Sequence, residues 1–447
     1  MNKVIVVNCN SYQEDDILSA YTRLIKLLNV NFNDIINQND TIVIKPNWIK
    51  EHHETKKEEW KYLITHPIVT YSTLQLILTK KKINKIKICD SPQTESSFKQ
   101  ILKLNKCNEL FELAQKFNTK LEILDLREDE WIDKKGVIIE RKKLTGDPLG
   151  SLTINLGKYS YFIDKPISKN EYYGADYDKN ETFNAHVNGK HLYKISKSVL
   201  ESDLIFNLPK LKTHKKTGIT VALKNMVGIN TYKNYLPHYT IGYPDKGGDQ
   251  FPCHTIKNKV EQRTMNFLKN LWLNFPPISK YFSSLVKIGR KSFGDNEHTI
   301  RSGNWYGNDT VWRMILDLNK ILFYCDKDGN LTNKIQRKYF CIVDGILAGE
   351  GNGPLAPDPK KSNLIIAGFN PVAIDCVCAK LMGFNYLKIP MLFHAFDKVK
   401  HPLVNFDYKD IEIISDRAEF NGKLININPK HTLYFKPPLG WIGHIEL

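Results

Sequence analysis

The sequence predicts an α/β protein in which a mostly parallel sheet is flanked by helices. Short β-branched runs alternate with segments whose apolar residues recur at helical spacing, the pattern of strand–helix–strand units. Several of these runs end in Asn, Asp or Pro followed by a turn, as at Asp90 and Asp344. A composition of 42% hydrophobic and 25% charged residues over 447 positions is typical of a folded chain and argues against disorder or a coiled coil.

The elements alternate along the whole chain. Strands are predicted at residues 4–7, 41–44, 85–89, 121–126, 203–207, 339–343 and 363–368. Helices are predicted at residues 17–28, 70–80, 309–324 and 371–383, and helical material is predicted between the strand at 85–89 and residue 117. Because a helix that connects two strands favours their parallel pairing, this order predicts a largely parallel sheet.

Changes in residue composition and in the pattern of predicted elements divide the chain into an N-terminal α/β half at residues 1–133 and a second α/β half at residues 199–245 and 305–447. Short strands with Gly- and Tyr-rich turns predict an antiparallel elaboration at residues 134–198. Residues 246–304 are predicted to form a helical insertion or lid. Its aromatic and basic stretch includes Trp272, Phe275 and Tyr281, so a partner surface or a membrane-surface helix pair stays open.

The net charge is +16, from 64 Lys and Arg against 48 Asp and Glu. This balance suits a phosphorylated metabolite, nucleic acid or an anionic membrane surface, and it does not choose among them. We expect a cytoplasmic location, since no run approaches the roughly 18 apolar residues of a membrane span and the N-terminus resembles a strand. The eight Cys include no CxxC pair, so we expect buried thiols and no zinc site, iron–sulfur cluster or disulfide framework.

Polar side chains end several predicted strands, where parallel strands present a common edge. Because ligands of open α/β sheets bind at the carboxyl ends of the strands, we expect these side chains to line one cleft. The alternative is that Asn, Asp and Pro only terminate strands and cap helices. The residues expected in the cleft are Lys45, Asn47, Asp90, Asn207, Lys210, Lys224 and Asp344.

A basic segment from residue 204 to 244 contains no Asp or Glu. Its ammonium, imidazole, amide and hydroxyl groups suit an anion, and we expect a helix at residues 217–227 with Thr220 and Lys224 on one face and Gly218 near the ligand. The expected ligand-binding residues here are Asn207, Lys210, Thr213, His214, Thr217, Thr220, Lys224 and Asn225. Lys215 and Lys216 are expected to face solvent. The alternative is a basic surface loop that leads into an ordinary helix, and no Walker A loop is present.

Glycines are concentrated in the segment 344–354, directly after a predicted strand. Backbone amides at Gly351 and Gly353 are expected to approach a phosphate or carboxylate, although a mobile surface loop is the alternative. Glu350 between glycines is a candidate general base or metal ligand. Together with Asp90 and Asp344 it is expected to hold Mg²⁺ or another divalent cation.

These segments resemble a known family, the domain of unknown function 362 (DUF362). The similarity rests on an ordered set of motifs between about residue 40 and residue 385. They are IKPNW at 44–48, THP at 65–67, CDSP at 89–92, NLPKLKTH and TGITVALKNMVG within 207–228, WYGNDTVWR at 305–313, DGILAGEGNGP at 344–354 and NPVAIDCVCAKLMG at 370–383. The resemblance implies the α/β fold and the site, and it assigns no reaction. Some relatives carry a ferredoxin-like cluster module, which this sequence lacks.

Two classes of function are predicted. The first is an enzyme that acts on a small anionic metabolite, phosphorylated or carboxylated, in which Lys210 and Lys224 bind the anion, His214 transfers a proton and Glu350 is a base or metal ligand. The second is a polyanion-binding protein without catalysis, for nucleic acid or an anionic surface. A single concave pocket that holds the lysines favours the first, and a convex basic face favours the second.

Overall fold

The main sheet has helices on both of its faces. The computed structural model describes residues 2–134, 137–165, 172–174, 178–255, 258, 260, 263–264 and 299–447. The fold class is confirmed, because most strand pairs of this sheet are parallel and helices separate them along the chain. The stretch that contains Trp272, Phe275 and Tyr281 lies outside the described residues. The lid or surface role of residues 246–304 therefore stays a prediction.

The elements are short, and their bounds are as follows. The strands are β1 Lys3–Asn8, β2 Ile42–Pro46, β3 Lys85–Asp90, β4 Lys120–Asp125, β5 Asp129–Lys134, β6 Val137–Lys143, β7 Ser151–Asn155, β8 Tyr172–Gly174, β9 Leu192–Ser196, β10 Leu204–Leu208, β11 Lys210–His214, β12 Gly218–Thr220, β13 Pro237–Thr240, β14 Lys338–Glu350, β15 Asp358–Gly368, β16 Glu412–Ser415 and β17 Gly422–Lys423. The α-helices are α1 Glu14–Leu28, α2 Phe32–Ile35, α3 Pro67–Lys80, α4 Phe98–Leu104, α5 Cys107–Lys116, α6 Lys179–Ala185, α7 Lys197–Leu200, α8 Ala222–Asn225, α9 Val311–Tyr324, α10 Pro371–Met382 and α11 Pro390–Phe393.

The order of the main sheet is β17-β16-β1-β15-β14-β10-β2-β3-β4, and β11 and β12 extend it beside β14. The run β14-β10-β2-β3-β4 is parallel, so its carboxyl ends meet at one edge. Antiparallel pairs join β15 to both β1 and β14. The central strand β10 thus lies between β14 and β2, and this position determines which strand ends become neighbours.

Apolar side chains cover both faces of the sheet. In β1, Val4 and Val6 belong to one hydrophobic core, whereas Ile5 and Val7 belong to the other. Successive side chains of a strand point to opposite faces, and the continuous β-branched run therefore fits a strand that is buried on both sides. The helices that complete these cores include α1 and α3 on one face and α9 and α10 on the other.

Among the described residues, three separate two-stranded antiparallel sheets lie outside the main sheet. β5 pairs with β6, β7 with β9, and β8 with β13. These pairs have the antiparallel character expected of residues 134–198. The four domain boundaries given above stay predictions.

The prediction of a helix at residues 217–227 is wrong. Residues Gly218–Thr220 form β12, which pairs with β11 so that Lys212 is opposite Thr220, and the helix α8 covers only Ala222–Asn225. Gly218 has a φ of +75°, and a Cβ there would lie 3.2 Å from the ring of Trp441. The glycine is therefore required by a turn and by close packing against an indole.

No helix in the described residues is both long and apolar enough to cross a bilayer. The eight cysteines are free thiols, and seven of them are buried. Cys253 is exposed, which corrects the expectation that all of the thiols are buried.

Candidate functional site

A cleft of about 920 Å³ opens where β2 and β3 end. Its walls come from the segments that follow these two strands, from β5, and from the chain between β11 and β13. This is the carboxyl edge of the parallel run, the usual place for a ligand in an open α/β sheet. The side chains analysed below face this cleft or lie directly behind its wall.

A buried ion pair stands at the end of β2 and β3. Lys45 Nζ lies 2.7 Å from Asp90 Oδ1, and both side chains are at most 4% exposed. The Asp90 carboxylate also accepts the backbone N–H of Trp48 at 2.7 Å and that of Ser91 at 2.7 Å. These bonds compensate the desolvation of the two charges and fix the position of the carboxylate at the cleft.

Gly228 approaches this ion pair so closely that a side chain has no room. A Cβ at Gly228 would lie 2.0 Å from Asp90 Oδ1 and 2.6 Å from Lys45 Nζ. Its carbonyl accepts the N–H of Ser91 at 3.0 Å, which ties the chain after α8 to the end of β3. The glycine therefore allows two distant segments to meet at the ion pair.

A chain of amide hydrogen bonds connects the ends of three strands. Asn225 donates from Nδ2 to Asn207 Oδ1 at 2.7 Å and to the Lys45 carbonyl at 3.1 Å. Asn47 donates to Asn225 Oδ1 at 3.0 Å and accepts from Lys212 Nζ at 3.0 Å. These bonds use both N–H groups of Asn225 and one of the two of Asn47, and they hold both side chains in fixed orientations on the cleft wall.

Lys224 faces the cleft without a partner in the described part of the chain. It is half-buried, and no hydrogen bond or ion pair connects its Nζ to a described residue. Burial, together with the positive charges of Lys233 and Lys45, lowers its pKa to about 7. An amine in this state is partly neutral at physiological pH.

Two other lysines beside the cleft, Lys212 and Lys233, have hydrogen-bond partners. Lys233 donates from Nζ to the Ser91 carbonyl at 2.6 Å. Lys212 is buried behind the wall, and burial beside Lys210 and Lys224 holds its pKa well below the usual range. The positive potential of the basic segment is thus concentrated beside the cleft.

Two histidines face the cleft close to Lys224. The Nδ1 of His214 accepts the N–H of Lys216 at 3.1 Å, so the proton of the neutral ring lies on Nε2. The Nδ1 of His238 lies 2.9 Å from the Leu236 carbonyl and donates to it, which leaves a lone pair on Nε2 of the neutral ring. Burial and the charge of Lys224 hold the pKa of both rings well below the usual range, so both are neutral at pH 7.

Two buried polar side chains hold the short helix α8 that carries Lys224. Asp375 of α10 accepts the N–H groups of Ala222 at 2.7 Å and Leu223 at 3.1 Å, and Asn319 of α9 donates to the Leu223 carbonyl at 2.9 Å. Burial raises the pKa of Asp375 to about 8. The direction in which Lys224 points is therefore set by the packing of α9 and α10.

Lys210 and Asp344 form a second ion pair that does not line the cleft. Their charged atoms are 2.7 Å apart, and both side chains are fully buried. Tyr12 donates to Asp344 Oδ1 at 2.7 Å and accepts from Lys210 Nζ at 2.9 Å, and the N–H of His66 donates to Asp344 Oδ2 at 2.9 Å. The structure therefore does not bring Lys210 and Asp344 into the cleft, because β11 continues beside β14 and encloses them.

The glycine-rich segment packs against the end of β11. Thr213 donates from Oγ1 to the Gly351 carbonyl at 2.7 Å, and a Cβ at Gly353 would lie 2.1 Å from the Thr213 carbonyl. Thr217 bonds to the Ile219 carbonyl at 2.7 Å. These contacts make Thr213, Thr217, Gly351 and Gly353 parts of a backbone junction. None of the four lines the cleft, and Pro354 is the residue of the glycine-rich segment that does.

Glu350 is buried at the end of β14. It accepts the N–H of Lys436 at 3.0 Å and forms an ion pair with Lys360 at 3.4 Å. Asp90 and Asp344 have entirely different partners, and two strands separate β3 from β14. At about 4.8 Å per strand spacing, β3 and β14 are roughly 14 Å apart across the sheet.

The expected divalent-cation site is not assembled by these carboxylates. Hard cations need several oxygen ligands at roughly 2.0–2.6 Å, and Asp90, Asp344 and Glu350 share no position that supplies them. Within the described ranges, no group of three or more His, Cys, Asp or Glu side chains is placed to hold a metal ion.

Lys215 and Lys216 were expected in solvent, and both are half-buried lining residues of the cleft. The Nζ of Lys216 donates to the Ser302 carbonyl and lies 5.0 Å from the centre of the Tyr239 ring. The sequence reasoning also missed Lys233, His238 and Gly228 as residues of the site. All three lie in the segment from 204 to 244, and the lack of acidic residues in that segment is the sequence signal that could have identified them.

Residues 163–380 match the model of the family described as Domain of unknown function (DUF362). This part of the chain is thus similar to that family, which confirms the resemblance for the motifs that lie within it, whereas the motifs at 44–48, 65–67 and 89–92 precede it. The match contains the basic segment and the glycine-rich segment, whereas Lys45, Asn47 and Asp90 precede it. No curated protein matches the chain.

Solved structures that align with the chain include two distant ones. The lactate racemase apoprotein from Thermoanaerobacterium thermosaccharolyticum is 13% identical with a TM-score of 0.34, over 85% of this chain and 57% of that one. A protein from Thermotoga maritima is 12% identical with a TM-score of 0.33, over 78% of this chain and 55% of that one. The chain thus spans little more than half the length of either structure.

Proposed function

We propose that this protein is an enzyme that binds a small anionic metabolite, phosphorylated or carboxylated, in the cleft at the ends of β2 and β3. The observation that carries the proposal is Lys224, a cation on a concave wall whose charge no described residue compensates. A buried or half-buried positive charge without a partner is unfavourable, and an anionic ligand removes the penalty.

The charged side chains of the cleft are distributed unevenly between its walls. The wall formed by the basic segment presents only positive ones, Lys215, Lys216, Lys224 and Lys233, whereas the other segments present both carboxylates, such as Glu51 and Glu95, and the lysines Lys50 and Lys57. The Glu51 carboxylate is held by Ser96 at 2.7 Å and by the N–H of Ser97 at 3.1 Å, and it does not reach Lys224. A ligand that carries its negative charge at one end fits this division.

The neutral histidines support proton transfer in this proposal. His214 can donate a hydrogen bond from Nε2, and His238 can accept a proton on Nε2, so a hydrogen-bond donor and a base face the same ligand. Asn47, which its bonds to Asn225 and Lys212 hold in place, can orient the ligand through its second amide N–H. No divalent cation is part of the proposal, since the carboxylates expected to bind one are apart.

The experiment is calorimetry with sulfate, inorganic phosphate and pyruvate on wild type and two matched variants. Lys224→Met removes the uncompensated cation, and Lys57→Met removes an exposed lysine from the mouth of the same cleft. We expect Lys224→Met to weaken binding about tenfold or more and Lys57→Met to leave it nearly unchanged, since a hydrogen bond to a charged group contributes about 1.5–3 kcal/mol. Equal losses in both variants would contradict the proposal.

The polyanion-binding alternative predicts a different response to salt. Binding of single- or double-stranded DNA through several phosphates would fall steeply with salt concentration and would tolerate the loss of one lysine. Tight oligonucleotide binding with these properties, in the absence of small-anion binding, would replace the enzyme by that alternative.

A further inference from the structure

We propose that Lys224 is a nucleophile that forms a Schiff base with the carbonyl group of the substrate, and that the substrate is a small carbonyl compound with a carboxylate or phosphate group. This inference rests on the proposed function, because the same cleft and the same anionic ligand are involved. It adds the reacting group and the residue that bonds to it.

Lys224 differs from its neighbours in what its amine contacts. Lys45 is paired with Asp90, Lys212 donates to Asn47, and Lys233 donates to the Ser91 carbonyl. The amine of Lys224 faces the cleft without a hydrogen bond to any residue that the structure describes. An amine that attacks a carbonyl carbon needs a lone pair directed at the substrate, and of these lysines Lys224 alone is placed to offer one.

The electrostatic setting favours the neutral amine. With an ordinary pKa of about 10.4, roughly one lysine in 2,500 is neutral at pH 7. Burial and the neighbouring charges of Lys233 and Lys45 lower the pKa of Lys224 to about 7, so close to half of the molecules carry a neutral amine. Desolvation beside another cation is a known way to activate a lysine for Schiff-base chemistry.

The two histidines can support the proton transfers of the reaction. The nitrogen lone pair of Lys224 forms a bond to the carbonyl carbon, while the π electrons move to oxygen, which accepts a hydrogen bond from His214 Nε2. The nitrogen loses a proton to His238 Nε2, and His238 passes this proton to the oxygen, which gives a carbinolamine. The second proton of the nitrogen follows the same route to the hydroxyl group, which leaves as water while the carbon–nitrogen double bond forms, so that amine and carbonyl are converted into imine and water, both histidines end neutral, and no redox change occurs.

Other groups of the site fit the anionic end of such a substrate. Lys233 also lines the cleft, and Asn47 has one amide N–H that the hydrogen bonds described above do not use, so both residues can contact a carboxylate or phosphate when Lys224 is bonded to carbon. The reaction therefore uses the amine of one lysine and leaves a second lysine for binding.

The test is reductive trapping with pyruvate, glyoxylate and glyceraldehyde 3-phosphate as probes. Borohydride reduces an imine to a stable secondary amine, and peptide mass spectrometry locates the adduct. We expect one dominant adduct, on Lys224, with at least one probe, and we expect excess sulfate to lower its yield. The adduct should vanish in Lys224→Arg, which keeps a positive charge but is never neutral, and should persist in Lys57→Arg.

Calorimetry on the same samples separates the two proposals. Probe binding without trapping at Lys224, or labelling spread evenly over surface lysines, would overturn the Schiff base and leave the anion site intact. Absence of both binding and trapping would overturn both. Retained sulfate binding in Lys224→Arg, together with loss of the adduct, would support both.

Discussion

The Nζ atom of Lys45 lies 2.7 Å from Oδ1 of Asp90, and the two side chains come from neighbouring parallel strands. The register of the two strands brings the ammonium group and the carboxylate together at one edge of the sheet, where the buried ion pair fixes the end of β3 that lines the cleft. Asp90 neutralises Lys45, while Lys224 retains a charge without a counter-charge. The site thus combines a compensated pair with an uncompensated cation.

Asp90→Asn is expected to lower the free energy of unfolding by about 3–5 kcal/mol, because it leaves the charge of Lys45 buried and unpaired. Urea denaturation measures the change, and adding Lys45→Met should recover part of the loss. Asp358→Asn is the control: its ion pair with Lys56 is more than half exposed, and the expected change is at most about 1 kcal/mol. A loss for Asp90→Asn as small as that of the control would contradict the prediction.

Gly228→Ala is expected to destabilise the protein by about 1–3 kcal/mol and to weaken anion binding, since the new methyl group displaces Asp90 or Lys45. Gly189→Ala provides the comparison. Gly189 has a φ of +72° with nothing within 4 Å of an added Cβ, so the substitution strains the backbone away from the cleft. Thermal unfolding should show losses for both variants, and calorimetry should show weaker binding for Gly228→Ala alone.

The stability of wild type relative to Lys224→Met is expected to rise between pH 7 and pH 10. The pKa of Lys224 is about 7 in the folded protein and about 10.4 when unfolded, so in this window the unfolded chain binds more protons. Stability then rises with pH at up to about 1.4 kcal/mol per pH unit. Denaturation at pH 7, 8 and 9 measures the slope, and the difference between wild type and Lys57→Met should stay flat.

Asp375→Asn is expected to show the opposite trend. The pKa of Asp375 is raised to about 8, whereas the unfolded value is about 3.9, so from pH 4 to pH 8 the folded protein binds more protons. Wild-type stability relative to Asp375→Asn therefore falls as the pH rises through this window. Denaturation curves at pH 5 and pH 8 give the sign of the change, and Asp328→Asn, at an exposed position, is the comparison variant.

The strand ends that place Lys45, Asn47 and Asp90 at one edge could be predicted from the sequence. Each follows a β-branched or apolar run, and buried parallel strands need only such runs and the helices between them. The helices that connect these strands make them parallel, so their carboxyl ends lie at the same edge of the sheet. Local sequence is therefore sufficient to predict that these three residues lie at that edge.

The separation of Lys210 from the cleft could not be predicted in this way. After Pro209 the chain continues as β11 along β14, and this brings Lys210 to Asp344 across 134 positions of sequence. The residues near Lys210 contain no sign of that pairing, because it depends on β14 running on to Glu350. Lys210 thus ends in a closed ion pair because of a distant strand, whereas Lys224 of the same basic segment ends at the cleft.

The helix expected at residues 217–227 fails for a related reason. Its apolar spacing is compatible with a helix, but the hairpin of β11 and β12 buries Ile219 and satisfies the backbone groups by strand pairing. Trp441, more than two hundred residues later, fills the space beside Gly218. Tertiary contacts of this kind override a local periodicity.

The two roles proposed for Lys224 have opposite pH dependences, which sulfate binding and imine trapping can separate. Sulfate keeps a constant charge between pH 6 and pH 9, and its binding requires the protonated amine. Its affinity should therefore fall above pH 7 by up to about tenfold per pH unit. The trapping rate with pyruvate requires the neutral amine, so it should rise from pH 6 and level off above pH 7. Lys224→Met should remove the pH dependence of sulfate binding, and an identical sulfate profile in wild type and variant would show that another group titrates.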